Sequence, residues 1–192
     1  MTATVALLLY DDVEVLDACG PFEVLSTANR VVSPPPFAVT THAAREVVTA
    51  RGGLRLLADR GLEATAPDVL LVPGGVQDVA LADPALMAWV AATGGAAAVR
   101  ASVCTGAFVL AAAGLLDERP VTTHWDDVAL LRRTHPGLEV VAGPRWVDHG
   151  DLVTSAGISA GLDMALHLVE RFAGRAAAQR TARLMDYAWD ER

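Results

Sequence analysis

Short apolar runs of strand length alternate with helical stretches along this chain, and that rhythm restricts the fold more than any other feature. Residues 5–10 and 69–72 are continuous apolar runs, the pattern of strands covered on both faces. Further strands are expected at 37–41, 47–50, 54–57, 96–103, 121–124, 139–141, 145–148 and 152–155. Helices are expected at 19–28, 84–92, 108–116, 126–133, 158–172 and 176–187. Pro21 falls near the start of the first, where a missing N–H does little harm, and Gly94-Gly95 is expected to end the second. Strands alternating with helices indicate an α/β domain with a mainly parallel sheet. No repeat, low-complexity tract or linker divides residues 1–192, a length that suits a single domain.

In sheets of this kind, ligands bind beyond the carboxyl ends of the strands. Three loops of unusual composition follow such ends: Pro73-Gly74-Gly75, Cys104-Thr105-Gly106 and Ser155-Ala156-Gly157-Ile158. Asp17 lies shortly after the end of the first strand. The middle loop carries the most information. An apolar strand runs into Cys104, small residues allow a sharp turn, and a helix follows. That is the layout of a nucleophile elbow, with Cys in place of Ser. A helix N-terminus supplies partial positive charge and free N–H groups, which is expected to favour the reactive thiolate of Cys104. The alternative is a small thiol packed beside a buried strand.

Composition narrows the partners. The chain is 53% hydrophobic, enough for a sizeable core, yet no apolar stretch is long enough to suggest a membrane span. The N-terminus has no basic region before its first apolar run, so it reads as a strand and not a signal peptide. Formal net charge is −8, and all 15 cations are Arg. An acidic chain without a basic cluster is a poor nucleic-acid binder. Two cysteines, Cys19 and Cys104, make no disulfide framework and suggest reduced thiols in the cytoplasm. No His, Cys and carboxylate spacing suggests a zinc site. His42, His135, His149 and His167 show no partner spacing and are expected on the surface or in loops.

Five segments then carry a family resemblance: Leu16-Asp17-Ala18-Cys19-Gly20-Pro21, Val72-Pro73-Gly74-Gly75, Ser102-Val103-Cys104-Thr105-Gly106, Thr122-Thr123-His124-Trp125 and Gly157-Ile158-Ser159-Ala160-Gly161-Leu162-Asp163. In this order they resemble the ThiJ/PfpI superfamily, related to class I glutamine amidotransferases. The resemblance spans nearly the whole chain and implies a flavodoxin-like three-layer sandwich. Within the superfamily the motifs are most similar to isocyanide (isonitrile) hydratases and to the amidase-like domain of AraC-type regulators. The chain stops at Arg192, short of a helix-turn-helix pair, which argues against direct DNA binding. Protease-like relatives place His directly after the nucleophile, where this chain has Thr105, and many relatives carry Glu where it has Asp17. Both departures match the hydratase subgroup.

The resemblance implies roles. Cys104 becomes the nucleophile and Asp17 its acid/base partner, with a carboxyl pKa raised by desolvation and by the sulfur's charge. The alternative for Asp17 is capping of the following helix. Gly75 and Thr105 become backbone donors to developing negative charge, the alternative for Gly74-Gly75 being a plain turn. Gly74, His124, Trp125 and Ile158 are expected around an apolar substrate pocket suited to a neutral molecule. His124 has a structural alternative, and Ile158 one in core packing. Cys19 reads as a small packed residue, with oxidant sensing as its alternative. The chemistry needs no cofactor and no metal. Its partner is a small-molecule substrate, and the subgroup implies a homodimer pairing close to the Asp17 helix. The implied reaction is hydration of an isocyanide to an N-substituted formamide. Its rivals are glyoxalase or deglycase chemistry on another small electrophile, and a non-catalytic ligand- or redox-sensing domain.

Overall fold

A computed structural model of the protein describes residues 1–189; the last three positions of the expected domain, 190–192, lie outside the described residues. Six strands form one sheet: β1 (Ala3–Leu8), β2 (Phe37–His42), β5 (Val69–Val72), β6 (Val99–Val103), β7 (Trp146–Asp148) and β8 (Leu152–Ser155). Their order is β2-β1-β5-β6-β8-β7, and every neighbouring pair is parallel except β7 with β8. A separate antiparallel pair joins β3 (Val47–Thr49) to β4 (Arg55–Leu57).

Alternation along each strand separates two cores. Val5, Leu7, Val69, Leu71, Ala101 and Val103 face one side, against α1 (Val15–Val31), α6 (Ala160–Ala173) and α7 (Arg175–Leu184). Ala6, Leu8, Leu70 and Val72 face the other, against α3 (Pro84–Ala96), α4 (Gly106–Ala112) and α5 (Val128–Thr134). Period-two side chains on a sheet covered by helices on both faces make an α/β sandwich of three layers. Among the described residues no helix is long and apolar enough to cross a membrane.

Several elements differ from expectation. Helix α1 begins at Val15, four residues before the expected start, and keeps Pro21 inside it. Gly20 and Pro21 are buried, and the Cβ positions of Gly20 and Gly161 would meet Leu162 and Pro21, so close α1–α6 packing outweighs the lost N–H. Helix α3 runs through Gly94-Gly95 because Leu115 packs directly on Gly94. Residues 77–81, outside every expected strand and helix, form α2 (Gln77–Leu81). Residues 121–124 and 139–141 are not sheet strands; they share a single bridge, Val121 with Val140. His42, expected at the surface, is buried against Trp89, with Nδ1 at 3.0 Å from the Gly61 carbonyl. His167 pairs with Asp148, and His149 meets the Pro120 carbonyl. These partners are distant in sequence, so spacing carries no trace of them.

One consequence of the strand order positions the site. Strands β1, β5, β6 and β8 are adjacent and parallel, so the start of α1 with Asp17 and the loops bearing Gly74-Gly75, Cys104 and Gly157-Ile158 emerge side by side at one sheet edge.

Candidate active site

Cys104 occupies the turn between β6 and α4 with φ at +56°, a left-handed conformation unusual for any residue but Gly, Asn or Asp. Two bonds hold it there. Its N–H donates to the Ser155 carbonyl at 3.1 Å, and its carbonyl accepts from Thr123 Oγ1 at 2.8 Å. The turn is tight because α4 starts with Gly106, whose Cβ position lies 2.2 Å from the Val72 carbonyl oxygen. The sharp strand-to-helix turn read from the sequence is present.

Asp17 sits in the first turn of α1, fully buried behind the cysteine. Its Oδ2 accepts from the Gly74 N–H at 3.1 Å, so the carboxyl serves the β5 loop and does not cap α1. Its Oδ1 is buried without a well-aligned donor. The Cys104 thiol interacts with the carboxyl from outside well-formed hydrogen-bond geometry. Burial, opposed by that thiol, pushes the Asp17 carboxyl up to about 7. Tyr10, also buried, donates to the Pro73 carbonyl at 3.1 Å and steadies the same loop.

The sulfur departs from expectation. Burial first, then the Asp17 charge, pushes the Cys104 thiol well above its ordinary value, and the Thr105 N–H only partly offsets this. Seven residues of helix do not outweigh a dry site with a carboxylate beside it. These effects favour the thiol over the expected thiolate.

The Thr105 backbone N–H faces the sulfur. The Gly75 N–H is already engaged, donating to Thr105 Oγ1 at 2.9 Å while that hydroxyl donates to the Gly75 carbonyl at 3.0 Å. Gly75 therefore ties the β5 loop to the Cys104 turn, and in this arrangement its N–H is not free to meet a substrate.

A cavity of about 340 Å³ opens over the sulfur. Of the expected residues, Gly75, Cys104, Thr105, His124 and Ile158 line it, with Ile158 38% exposed. Gly74 is buried behind the site beside Asp17. Trp125 does not line the cavity; it is 76% exposed, on the outer side of a 3-10 turn at Trp125–Asp127. His124 lies close to the sulfur, because a Cβ on Gly157 would meet both His124 Cδ2 and Cys104 Sγ. Its Nδ1 accepts from the Asp126 N–H at 3.4 Å and is 3.5 Å from Asp127 Oδ2.

The cavity is not the apolar pocket expected. Glu14, Arg51, Asp126 and Asp127 line its mouth. Sequence reading missed all four; the only available signal was that Glu14 lies three residues before Asp17 and that Asp126-Asp127 follow His124 within three residues. Arg51 arrives from the turn after β3, with its N–H on the Val13 carbonyl, a contact no spacing reveals. Cys19 does not line this cavity; it is half-buried in an apolar groove with Phe22 and Leu57, where burial raises its pKa.

The chain is similar to several known proteins. The isonitrile hydratase of Pseudomonas putida is 33% identical over 98% of this chain and 80% of its own length. The HTH-type transcriptional regulator GbdR of Pseudomonas aeruginosa is 27% identical over 96% of this chain, which spans 50% of that regulator. A crystal structure of a ThiJ/PfpI family protein from Pseudomonas syringae superposes with a TM-score of 0.85 at 27% identity, over 99% of this chain and 77% of that one. Residues 3–171 match the model of the DJ-1/PfpI family: the chain belongs to that family.

Proposed function

We propose that this protein is a cofactor-independent, cysteine-dependent hydratase that converts an isocyanide to an N-substituted formamide. The observation that carries the reading is the Cys104 thiol seated against the fully buried Asp17 carboxyl, which burial pushes up to about 7. A carboxylate tuned to neutral pH takes the thiol proton and hands it on. Sulfur bonds to the terminal carbon of the isocyanide, and the proton from the thiol, relayed by Asp17, ends on that same carbon. The product is a thioimidate. Water adds across its C=N bond, the C–S bond breaks, and sulfur recovers a proton as the formamide leaves. Thr105 N–H stabilises the sulfur while its proton is away. Gly75 acts through Thr105, and His124 and Ile158 border the substrate. Support comes also from the 33% identity to an isonitrile hydratase.

The test is formamide production followed by NMR over a panel of isocyanides. Cys104→Ala is expected to lower turnover by about 10³-fold or more. Retained activity in that variant sinks the mechanism, and turnover of methylglyoxal alone reassigns the chemistry to another small electrophile. The match to GbdR favours a second reading, a ligand-sensing domain. Tight binding of one small molecule without turnover of any would select it.

Pairing into a homodimer belongs to the same reading. Phe22 and Leu57 are 39% and 67% exposed and flank the apolar groove beside α1. An exposed apolar patch of this kind marks an association surface.

A further inference from the structure

The mouth of the Cys104 cavity carries an imbalance of charge. Three carboxylates, Glu14, Asp126 and Asp127, face one guanidinium, Arg51. Arg51 Nη1 lies 3.5 Å from Glu14 Oε2, so the single cation is matched by Glu14. Among the described residues no arginine pairs with Asp126 or Asp127; Asp127 has only His124, at 3.5 Å. Beneath the sulfur the fully buried Asp17 adds a further carboxyl, whose Oδ1 has no aligned donor from the protein. Among the charged side chains that line the cavity, three carboxylates therefore stand against a single guanidinium. The cavity, about 340 Å³, also has room for a substituent beyond the carbon that sulfur attacks.

We infer that the site selects its electrophile by charge: it favours one carrying an ammonium-type cation over its neutral counterpart and rejects a carboxylate or sulfonate, with Asp126 and Asp127 as the specificity-determining residues. Each carboxylate within about 7 Å of a unit charge in a partly wet cleft changes its encounter by roughly 3- to 10-fold. Two acting together separate a cation from an anion by well over an order of magnitude. The inference rests on Cys104 as the nucleophile, but not on an isocyanide as its target.

A measurement on the thiol itself keeps the two apart. Three methanethiosulfonates with the same ethyl arm, ending in trimethylammonium, methyl or sulfonate, are reacted with the full-length protein. Cys104 sulfur attacks the reagent's sulfenyl sulfur, a protein disulfide forms, methanesulfinate leaves, and the thiol proton goes to buffer. Peptide mapping reads Cys104 separately from Cys19. After division by each reagent's rate with a small free thiol, the cationic reagent is expected to outpace the anionic one by about 30-fold or more. The ratio should shrink as salt is raised. Asp126→Asn with Asp127→Asn should bring it within about 3-fold of unity. Asp126 is exposed, so Asp126→Asn alone, with an intermediate ratio, guards against misfolding of the double variant. A ratio near one in the unaltered protein, or one that the variants leave unchanged, overturns the inference. So does a Cys104 inert to all three reagents. Charge selection at Cys104 with no isocyanide turned over leaves the inference standing and removes the hydratase reading.

Discussion

At Cys104 a left-handed backbone costs an L-residue about 1–2 kcal/mol, and the bonds to Ser155 and Thr123 hold it in place. The turn sets a buried sulfur beside a buried carboxyl, so each raises the cost of charging the other. Asp17 is ordinarily ionised above 3.8 but is pushed up to about 7 here, chiefly by burial. If the one-proton pair is the active form, kcat/KM should rise with pH through about 7 and then level. A flat profile across that range, measured on a substrate the protein turns over, contradicts it. Stability follows the same shift with the opposite sense. The folded pKa is raised, so the fold tolerates Asp17 fully below 3.8 and loses stability as pH climbs through 7. Asp17→Asn, which still offers an oxygen to the Gly74 N–H, should therefore be more stable than the parent at pH 8 by about 2–4 kcal/mol. The gain should fade toward pH 4, as read from urea midpoints. Activity in that variant should fall sharply, which separates the group's chemical role from its effect on folding.

At the scale of elements, the close seating of α4 on β5 decides how sharply the chain turns at the cysteine. Gly106→Ala sets two effects against each other. Helix propensity alone favours Ala by about 1 kcal/mol. The Cβ, however, would lie 2.2 Å from a backbone oxygen of β5, which has little room to move. Overpacking is expected to win, with a net loss of about 1–3 kcal/mol in chemical denaturation. A stabilised variant would show that the contact relaxes freely. The same contest between local preference and packing explains where elements departed from the sequence pattern. Gly94-Gly95 reads as a helix stop, yet α3 passes through it because Leu115 packs there. The apolar run at 69–72 was legible as it stands, because a strand buried on both faces leaves a continuous apolar signature.

Across the whole molecule, a buried carboxylate ties separate parts of the chain. Asp163 on α6 accepts from Arg145, which precedes β7, and from Tyr187 Oη at 3.1 Å, beyond α7. Arg145 also reaches Ser159 Oγ at 3.3 Å. Arg145→Ala leaves this carboxylate buried with less compensation and should cost about 2–4 kcal/mol, measured as a shift in the urea midpoint. Loss should be cooperative, because α6 also packs on α1, which carries Asp17. Pairing of two chains is expected to cover the groove near Phe22 and Leu57. Light scattering at micromolar concentration should give twice the chain mass, and Leu57→Asp should halve it. A monomer before substitution removes the dimer from the proposed reading.

The sequence by itself determined the alternating architecture, the edge at which the loops gather and the position of Cys104 within a sharp turn, because each leaves a local trace in residue type and spacing. Only the tertiary structure decided the chemistry of the surroundings. Burial raised the pKa of both Cys104 and Asp17, and the Thr105 hydroxyl engaged the Gly75 N–H. Trp125 turned outward, while Glu14, Arg51, Asp126 and Asp127 converged on the cavity mouth from three segments of the chain. Those properties depend on distance and on exclusion of water, and neither exists until the segments are brought together. The cysteine was readable as a residue; its proton and the charge of its neighbours belong to the fold.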